Sequence, residues 1–103
     1  MSIIFDVVDK SGRKIRLTNG RWKHIKKHPH MDENRLEDLK QILKEGLIIR
    51  HSDDNENVVF YYKEFKKMSP EERYLFISVK YLNSEGFVIT SFFTNKIPGL
   101  KWM

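Results

Sequence analysis

Four segments of β character, separated by turn clusters, fill the second half of the chain and constrain its fold more than any other feature. They cover residues 47–51, 58–65, 74–82 and 87–94. The stretches between them contain Asp-Asp-Asn, Ser-Pro and Asn-Ser-Glu-Gly, and such residues favour turns. Strands that follow one another through short connections usually pair antiparallel. The second half of the chain therefore predicts a four-stranded antiparallel meander.

The first half of the chain begins with a predicted β-hairpin. Residues 3–8 are rich in β-forming side chains, residues 10–13 contain a Ser-Gly turn, and residues 14–17 alternate basic and apolar side chains. Alternation of this kind is typical of a strand with one buried face, and the turn between the two runs is short enough to pair them.

Two helices are predicted between the hairpin and the meander. Thr18 or Asn19 can cap a first helix, which should end before Pro29 because proline disfavours the α conformation of the residue that precedes it. Asp32 can cap a second helix, and Gly46 stands where a glycine commonly ends one. The second helix has its apolar residues on one face, which indicates a structural role.

Composition agrees with one compact domain. The chain has 103 residues, 40% of them hydrophobic, and no cysteine, so neither disulfides nor cysteine metal sites are expected. We predict a single α+β domain over residues 1–103: an N-terminal hairpin, two helices, then the four-stranded antiparallel meander with the helices packed on one face. No apolar run approaches about 18 residues and no signal peptide is recognisable, so we expect a soluble cytoplasmic protein without membrane contact.

The charge distribution favours a polyanionic partner. Lys and Arg number 19 against 14 Asp and Glu, which leaves a formal charge of +5. Residues 10–30 contain eight basic residues and no acid. A basic stretch of this kind is a common footprint of nucleic-acid binding, although many small lysine-rich proteins are basic without binding nucleic acid.

Three of the four histidines lie in the segment Arg-Trp-Lys-His-Ile-Lys-Lys-His-Pro-His, within that basic stretch. If the segment is helical, steps of about 100° place Arg21, His24 and His28 within roughly 60° of one another. Trp22 and Ile25 then form an adjoining apolar stripe. The three polar side chains would line the border between core and solvent, where a cleft can form. Histidine has a reference pKa of about 6.5, which suits it to proton transfer near neutral pH.

Two plainer interpretations of the histidines remain open. Each histidine can be a solvated surface residue of a charged helix. His24 and His28 also have the i, i+4 spacing that a zinc site can use, but no carboxylate lies near them in sequence, so the ligand set is thin. We therefore predict neither a metal site nor a cofactor.

Strand alternation predicts which side chains leave the core. In segment 74–82, Lys80 points away from the apolar row. In the last strand, alternation groups Phe87, Ile89, Ser91 and Phe93 on one side, and Val88, Thr90, Phe92 and Thr94 on the other. Tyrosine, lysine and threonine on one exposed sheet face would form a platform for phosphates and bases.

The motifs together resemble a known family. They are Arg21-Trp22-x-His24-Ile25-x-x-His28-Pro29, Phe60-Tyr61-Tyr62-Lys63, the strand through Lys80, and Gly-Phe-Val-Ile-Thr-Ser-Phe-Phe-Thr ending at Thr94. This pattern, from about Leu17 to Lys96, is similar to small phage-associated members of the barnase, EndoU, colicin and RelE (BECR) superfamily. One departure is His30, where similar sequences often have an acid.

The resemblance implies a metal-independent endoribonuclease that acts on tRNA or mRNA, in many members as a toxin, with an inhibitor or antitoxin protein as a further candidate partner. Cleavage of RNA without metal needs a general base, a general acid and stabilisation of the phosphorane. His24 and His28 are the predicted acid and base, Arg21 and Lys80 the predicted phosphate ligands. The remaining candidates are Thr90 and Thr94 as phosphate-orienting groups, Tyr61 or Tyr62 as base-stacking groups, and Lys63, Lys23 and Lys27 as substrate-binding residues.

Two other classes of function are compatible with the same residues. One is an RNA-binding module without catalysis, in which the basic residues govern affinity and the histidines are dispensable. The other is an inactive relative of the same fold that binds a protein.

Overall fold

A computed structural model describes residues 2–97 and has an α+β architecture, as predicted, with six strands and two helices. The elements, in chain order, are β1 (Ile3–Val8), β2 (Lys14–Thr18), α1 (Asn19–Ile25), α2 (Leu36–Glu45), β3 (Ile48–His51), β4 (Val58–Glu64), β5 (Tyr74–Leu82) and β6 (Glu85–Thr94). Two short 3₁₀ helices, Glu33–Arg35 and Pro70–Glu72, precede α2 and β5.

All six strands belong to one sheet in the order β1-β2-β6-β5-β4-β3. Strands β3 to β6 pair antiparallel in succession, and β1 pairs antiparallel with β2. The predicted meander is therefore present, but it is not a separate sheet, because β2 of the hairpin pairs with β6 in parallel register, with Ile15 opposite Gly86. A Cβ atom at Gly86 would lie 2.8 Å from the Lys80 carbonyl oxygen and 3.1 Å from the Ile15 side chain, so glycine permits this close approach.

A β-bulge in β6 corrects the predicted faces of that strand. Ser78 opposes Thr90, but Val79 opposes Val88, so Ile89 is an extra residue in β6. The alternation therefore shifts by one residue. Phe87, in register with Lys80, shares a face with Thr90, Phe92 and Thr94, and not with Ser91 and Phe93 as predicted. We call the face that carries Lys80 the open face.

The other face of the sheet, the core face, packs against both helices. Their buried residues Trp22, Ile25, Leu39, Ile42 and Leu43 belong to one apolar cluster with the inward residues of the strands. Gly46 ends α2 in the left-handed conformation with φ of 56°, as its position predicted. Asp32 caps the 3₁₀ helix that leads into α2, accepting a hydrogen bond from the Asn34 N–H at 3.0 Å.

Helix α1 is shorter than predicted, because it ends at Ile25 and not at His28. The N–H groups of Lys27 and His28 donate to the carbonyls three residues earlier, at 3.3 and 3.0 Å, which tightens the chain into turns. Pro29 restricts His28 and donates no hydrogen bond, so the α-helix cannot continue. His28 therefore lies in a turn after α1.

A buried polar cluster connects the hairpin to the meander. Asp9, which is 5% exposed, accepts hydrogen bonds from the hydroxyls of Tyr61 and Tyr81, which also contact each other. Its other carboxylate oxygen accepts from the Ser11 hydroxyl at 2.7 Å and from the backbone N–H groups of Ser11 and Arg13. Every carboxylate oxygen is thus satisfied, as a buried charge requires.

None of the helices in the described part of the chain is long and apolar enough to cross a membrane.

Candidate functional site

The candidate site forms where α1 meets the edge of β6. Strand β2 pairs with β6 only as far as Arg16 and Phe87, and the chain then turns into α1 at Thr18. Thr18 caps α1 by accepting a hydrogen bond from the Arg21 N–H at 3.3 Å. Helix α1 consequently lies against β6 where β2 leaves its edge.

Arg21 and His24 line a shallow cleft of about 550 Å³ between α1 and β6. Thr18, Gly20 and Phe87 complete its lining. Both Arg21 and His24 are exposed, while Trp22 and Ile25 between them are buried. The predicted division of α1 into an apolar stripe and a polar border is thus present.

His28 lines a second, smaller cleft of about 220 Å³ with Pro29, Glu72, Phe92 and Phe93. Its ring is half-buried against Phe92, with ring centroids 5.4 Å apart. The centroid of the His24 ring lies 6.2 Å from that of His28, with the ring planes at 87°. The two histidines are therefore neighbours without stacking, one on each of two clefts along the same border.

His30 anchors the turn that carries His28. It has a φ of 65°, and its Nε2 lies 3.0 Å from Glu72 Oε2. Its carbonyl accepts a hydrogen bond from Arg35 Nε at 3.0 Å, and the Met31 N–H donates to the His28 carbonyl at 3.3 Å. These contacts connect the turn to the 3₁₀ helix before β5 and to the segment before α2, so we expect the position of His28 to depend on His30.

Lys80, Thr90 and Thr94 all lie on the open face of the sheet. Lys80 opposes Phe87, which lines the Arg21 cleft, and Thr90 opposes Ser78. Thr94 opposes Tyr74, and its Oγ1 accepts a hydrogen bond from the Lys96 N–H at 3.3 Å. The structure brings these three residues to one face of two adjacent strands, and none of them lines either histidine cleft.

The predicted base-stacking tyrosines are buried. Tyr61 is 3% exposed on the core face, where its hydroxyl meets Asp9 and Tyr81. Tyr62 is 1% exposed on the open face, and its hydroxyl has no hydrogen-bond partner among residues 2–97. Burial raises the pKa of Tyr62 to about 12, opposed by the charge of Arg50. Neither ring presents a free surface, so the structure gives no support to base stacking by these two residues.

The predicted substrate-binding lysines are divided between two places. Lys63 lies on β4 on the core face, with its Nζ 5.8 Å from the centroid of the Phe65 ring, and it lines neither histidine cleft. Lys23 and Lys27 are exposed on the histidine segment and form no ion pair within residues 2–97. Lys26, between them, pairs with Glu33 at 3.5 Å. Among residues 2–97, the basic side chains near the histidines that have no ion-pair partner are therefore Arg21, Lys23 and Lys27.

Sequence reasoning missed Phe87, Phe92 and Glu72, which line the two clefts. The predicted alternation put Phe87 and Phe92 on opposite faces, because the bulge at Ile89 has no clear signal in the sequence. Glu72 is separated from the histidines by more than forty residues, and only the fold brings it to His30.

The chemistry available at this border is proton transfer and anion binding. The two imidazoles can exchange protons with a substrate. The guanidinium of Arg21, which has no ion-pair partner within residues 2–97, can hold an anionic group. Within residues 2–97, no group of three or more His, Cys, Asp or Glu side chains is arranged to hold a metal ion.

The chain is thus an α+β protein with a cationic cluster of Arg21, His24 and His28 beside β6, where β2 no longer pairs with that strand. Comparison with known proteins adds no relative: no family model, no curated protein and no solved structure matches the chain.

Proposed function

We propose that this protein is a metal-independent endoribonuclease of the BECR type. The observation that carries the proposal is the pair of histidine rings, with centroids 6.2 Å apart, beside Arg21 on an open border of the sheet. Two imidazoles this close can each contact a different oxygen of one phosphate that lies alongside the pair. The basic segment around them favours an anionic polymer as substrate.

The proposed reaction is an internal transesterification of RNA. One imidazole removes the proton of the 2′-hydroxyl, and the 2′-oxygen attacks the adjacent phosphorus. The bond to the 5′-oxygen breaks, and the second imidazole, as imidazolium, protonates that oxygen. The products are a 2′,3′-cyclic phosphate and a 5′-hydroxyl. Arg21 would hold the phosphate by charge-assisted hydrogen bonds.

Cleavage should proceed in EDTA and leave 2′,3′-cyclic phosphate ends. The measurement is incubation of the purified protein with total RNA, with and without EDTA, followed by end-group analysis of the fragments. Loss of cleavage in EDTA that a divalent ion restores would contradict the proposed chemistry. Binding of RNA without any fragments would instead identify the chain as an RNA-binding module, and absence of both would favour a protein-interaction domain.

Replacement of Lys80 should reduce turnover more than binding, whereas replacement of Lys23 or Lys27 should do the reverse. If Lys80 contacts the scissile phosphate, its charge acts mainly on the extra negative charge of the transition state. Lys23 and Lys27 should contribute phosphate contacts along the strand. Removal of one such contact should flatten the salt dependence of single-strand binding by roughly 0.7 in log–log slope.

The measurement is kcat and the salt slope of RNA binding for Lys80→Ala, Lys23→Ala and Lys27→Ala. Lys63→Ala is the matched control, because Lys63 lies on the core face of the sheet and should change neither quantity. A change in slope alone for Lys80→Ala would remove Lys80 from the proposed active site.

A further inference from the structure

A row of phenylalanines crosses the open face of the sheet from the His28 cleft. Phe92 on β6 lies directly opposite Phe76 on β5, and their ring centroids are 4.8 Å apart. Phe60 on β4 continues the row, 5.3 Å from Phe76. All three rings are partly exposed. The row begins at His28, whose ring contacts Phe92 at 5.4 Å.

The row differs from an ordinary part of the core. The helices bury their apolar residues on the core face, whereas Phe60 and Phe76 pack against a small separate cluster of Tyr62, Tyr74 and Ile97. Tyr62, Tyr74 and Ile97 are buried at this part of the open face, whereas the three phenylalanine rings beside them remain partly exposed. Adjacent, partly exposed aromatic rings on neighbouring strands are the arrangement on which single-stranded RNA stacks its bases in sheet-based RNA-binding modules.

The charges and hydroxyls around the row fit a polyanionic strand. Arg50 on β3 is in register with Phe60, and Lys80 lies on the same face of β5. Ser78 and Thr90 oppose each other between Lys80 and the Phe76–Phe92 pair. The acid of this face on β4, Glu64, is paired with Arg73 at 3.6 Å. Cations therefore flank the aromatic surface, as a strand with stacked bases and exposed phosphates requires.

We propose that Phe92, Phe76 and Phe60 form a base-stacking platform that binds single-stranded RNA and leads it past His28. The path past His28 rests on the proposed ribonuclease function, whereas stacking on the row does not. Stacking on these rings requires unpaired bases, because bases paired within a duplex do not offer their faces to the rings. The substrate class that follows for the proposed ribonuclease is single-stranded RNA.

The test uses a fluorescent single-stranded oligodeoxythymidine and fluorescence anisotropy. DNA can stack on the platform, but it lacks the 2′-hydroxyl and so cannot undergo the proposed reaction. Phe76→Leu and Phe92→Leu retain an apolar side chain and remove the aromatic face. Each should weaken binding about 5- to 150-fold, the loss expected for one stacked base. A duplex of the same length should bind with no dependence on either residue.

Phe65→Leu is the matched control, because Phe65 is also partly exposed but packs against the core-face cluster beneath Arg35. Thermal unfolding of all three variants establishes that each is folded at the assay temperature. Wild-type affinity of folded Phe76→Leu and Phe92→Leu would overturn the platform even if RNA is cleaved. Phe-dependent oligodeoxythymidine binding without RNA cleavage would support the platform and overturn only the proposed ribonuclease.

Discussion

His28→Ala should lower kcat for RNA cleavage by about 10² to 10⁴, the usual contribution of a general acid or base, with little change in RNA affinity. The ring of His28 is half-buried on Phe92, beside His24 and beside the aromatic row of the open face. In the proposed reaction, a group in this position would contact the RNA where the clefts and the row converge. The measurement is single-turnover cleavage of a defined RNA, with affinity measured separately.

His24→Ala should have an effect of similar size if the two imidazoles are acid and base. His51→Ala is the control, because His51 is exposed at the end of β3 and lines a different cleft with Asp9 and Tyr61. Near wild-type turnover of His28→Ala would move the chemistry elsewhere. A large effect in only one of the His24 and His28 variants would make the other histidine a positioning residue.

Asp9→Ala should lower the free energy of unfolding by about 2–4 kcal/mol, since it leaves buried tyrosine hydroxyls without their acceptor. Asp9 is the acceptor for both Tyr61 and Tyr81, and it also caps the turn of the hairpin through Ser11 and Arg13. Urea denaturation measures the loss. Asp6→Ala, at an exposed position on β1, should change stability by less than about 0.5 kcal/mol.

The stabilising effect of Asp9 should depend on pH. Burial alone raises the pKa of Asp9, but hydrogen bonds from Tyr81, Ser11 and the backbone of Arg13 and Ser11 outweigh it and hold the pKa below its ordinary value of 3.8. A carboxyl with a lowered pKa in the folded state stabilises the fold above its unfolded pKa. That contribution should be complete above about pH 4 and be lost as the pH falls through the lowered value. A difference between wild type and Asp9→Ala that grows on acidification would contradict this assignment.

Much of the architecture follows from local patterns in the sequence. The hairpin, the helix that Gly46 ends, the four consecutive antiparallel strands and the apolar stripe of α1 were all predicted, and the structure confirms them. Each depends on residues close in the chain, such as turn formers, caps and periodic apolar positions. The histidine border was likewise indicated by local spacing.

The candidate site depended on contacts between distant segments. Parallel pairing of β2 with β6 joined the hairpin to the meander, and the chain turning out of β2 placed α1 against β6. The bulge at Ile89 moved Phe87 to the same face as Phe92 and Lys80, and the fold brought Glu72 to His30. The alternation of side chains along a strand does not reveal an extra residue such as Ile89. The spacing of residues along the chain also does not indicate which strands pair across a sheet. The sequence alone therefore predicted the candidate residues of the site, and the tertiary structure decided which of them share a surface.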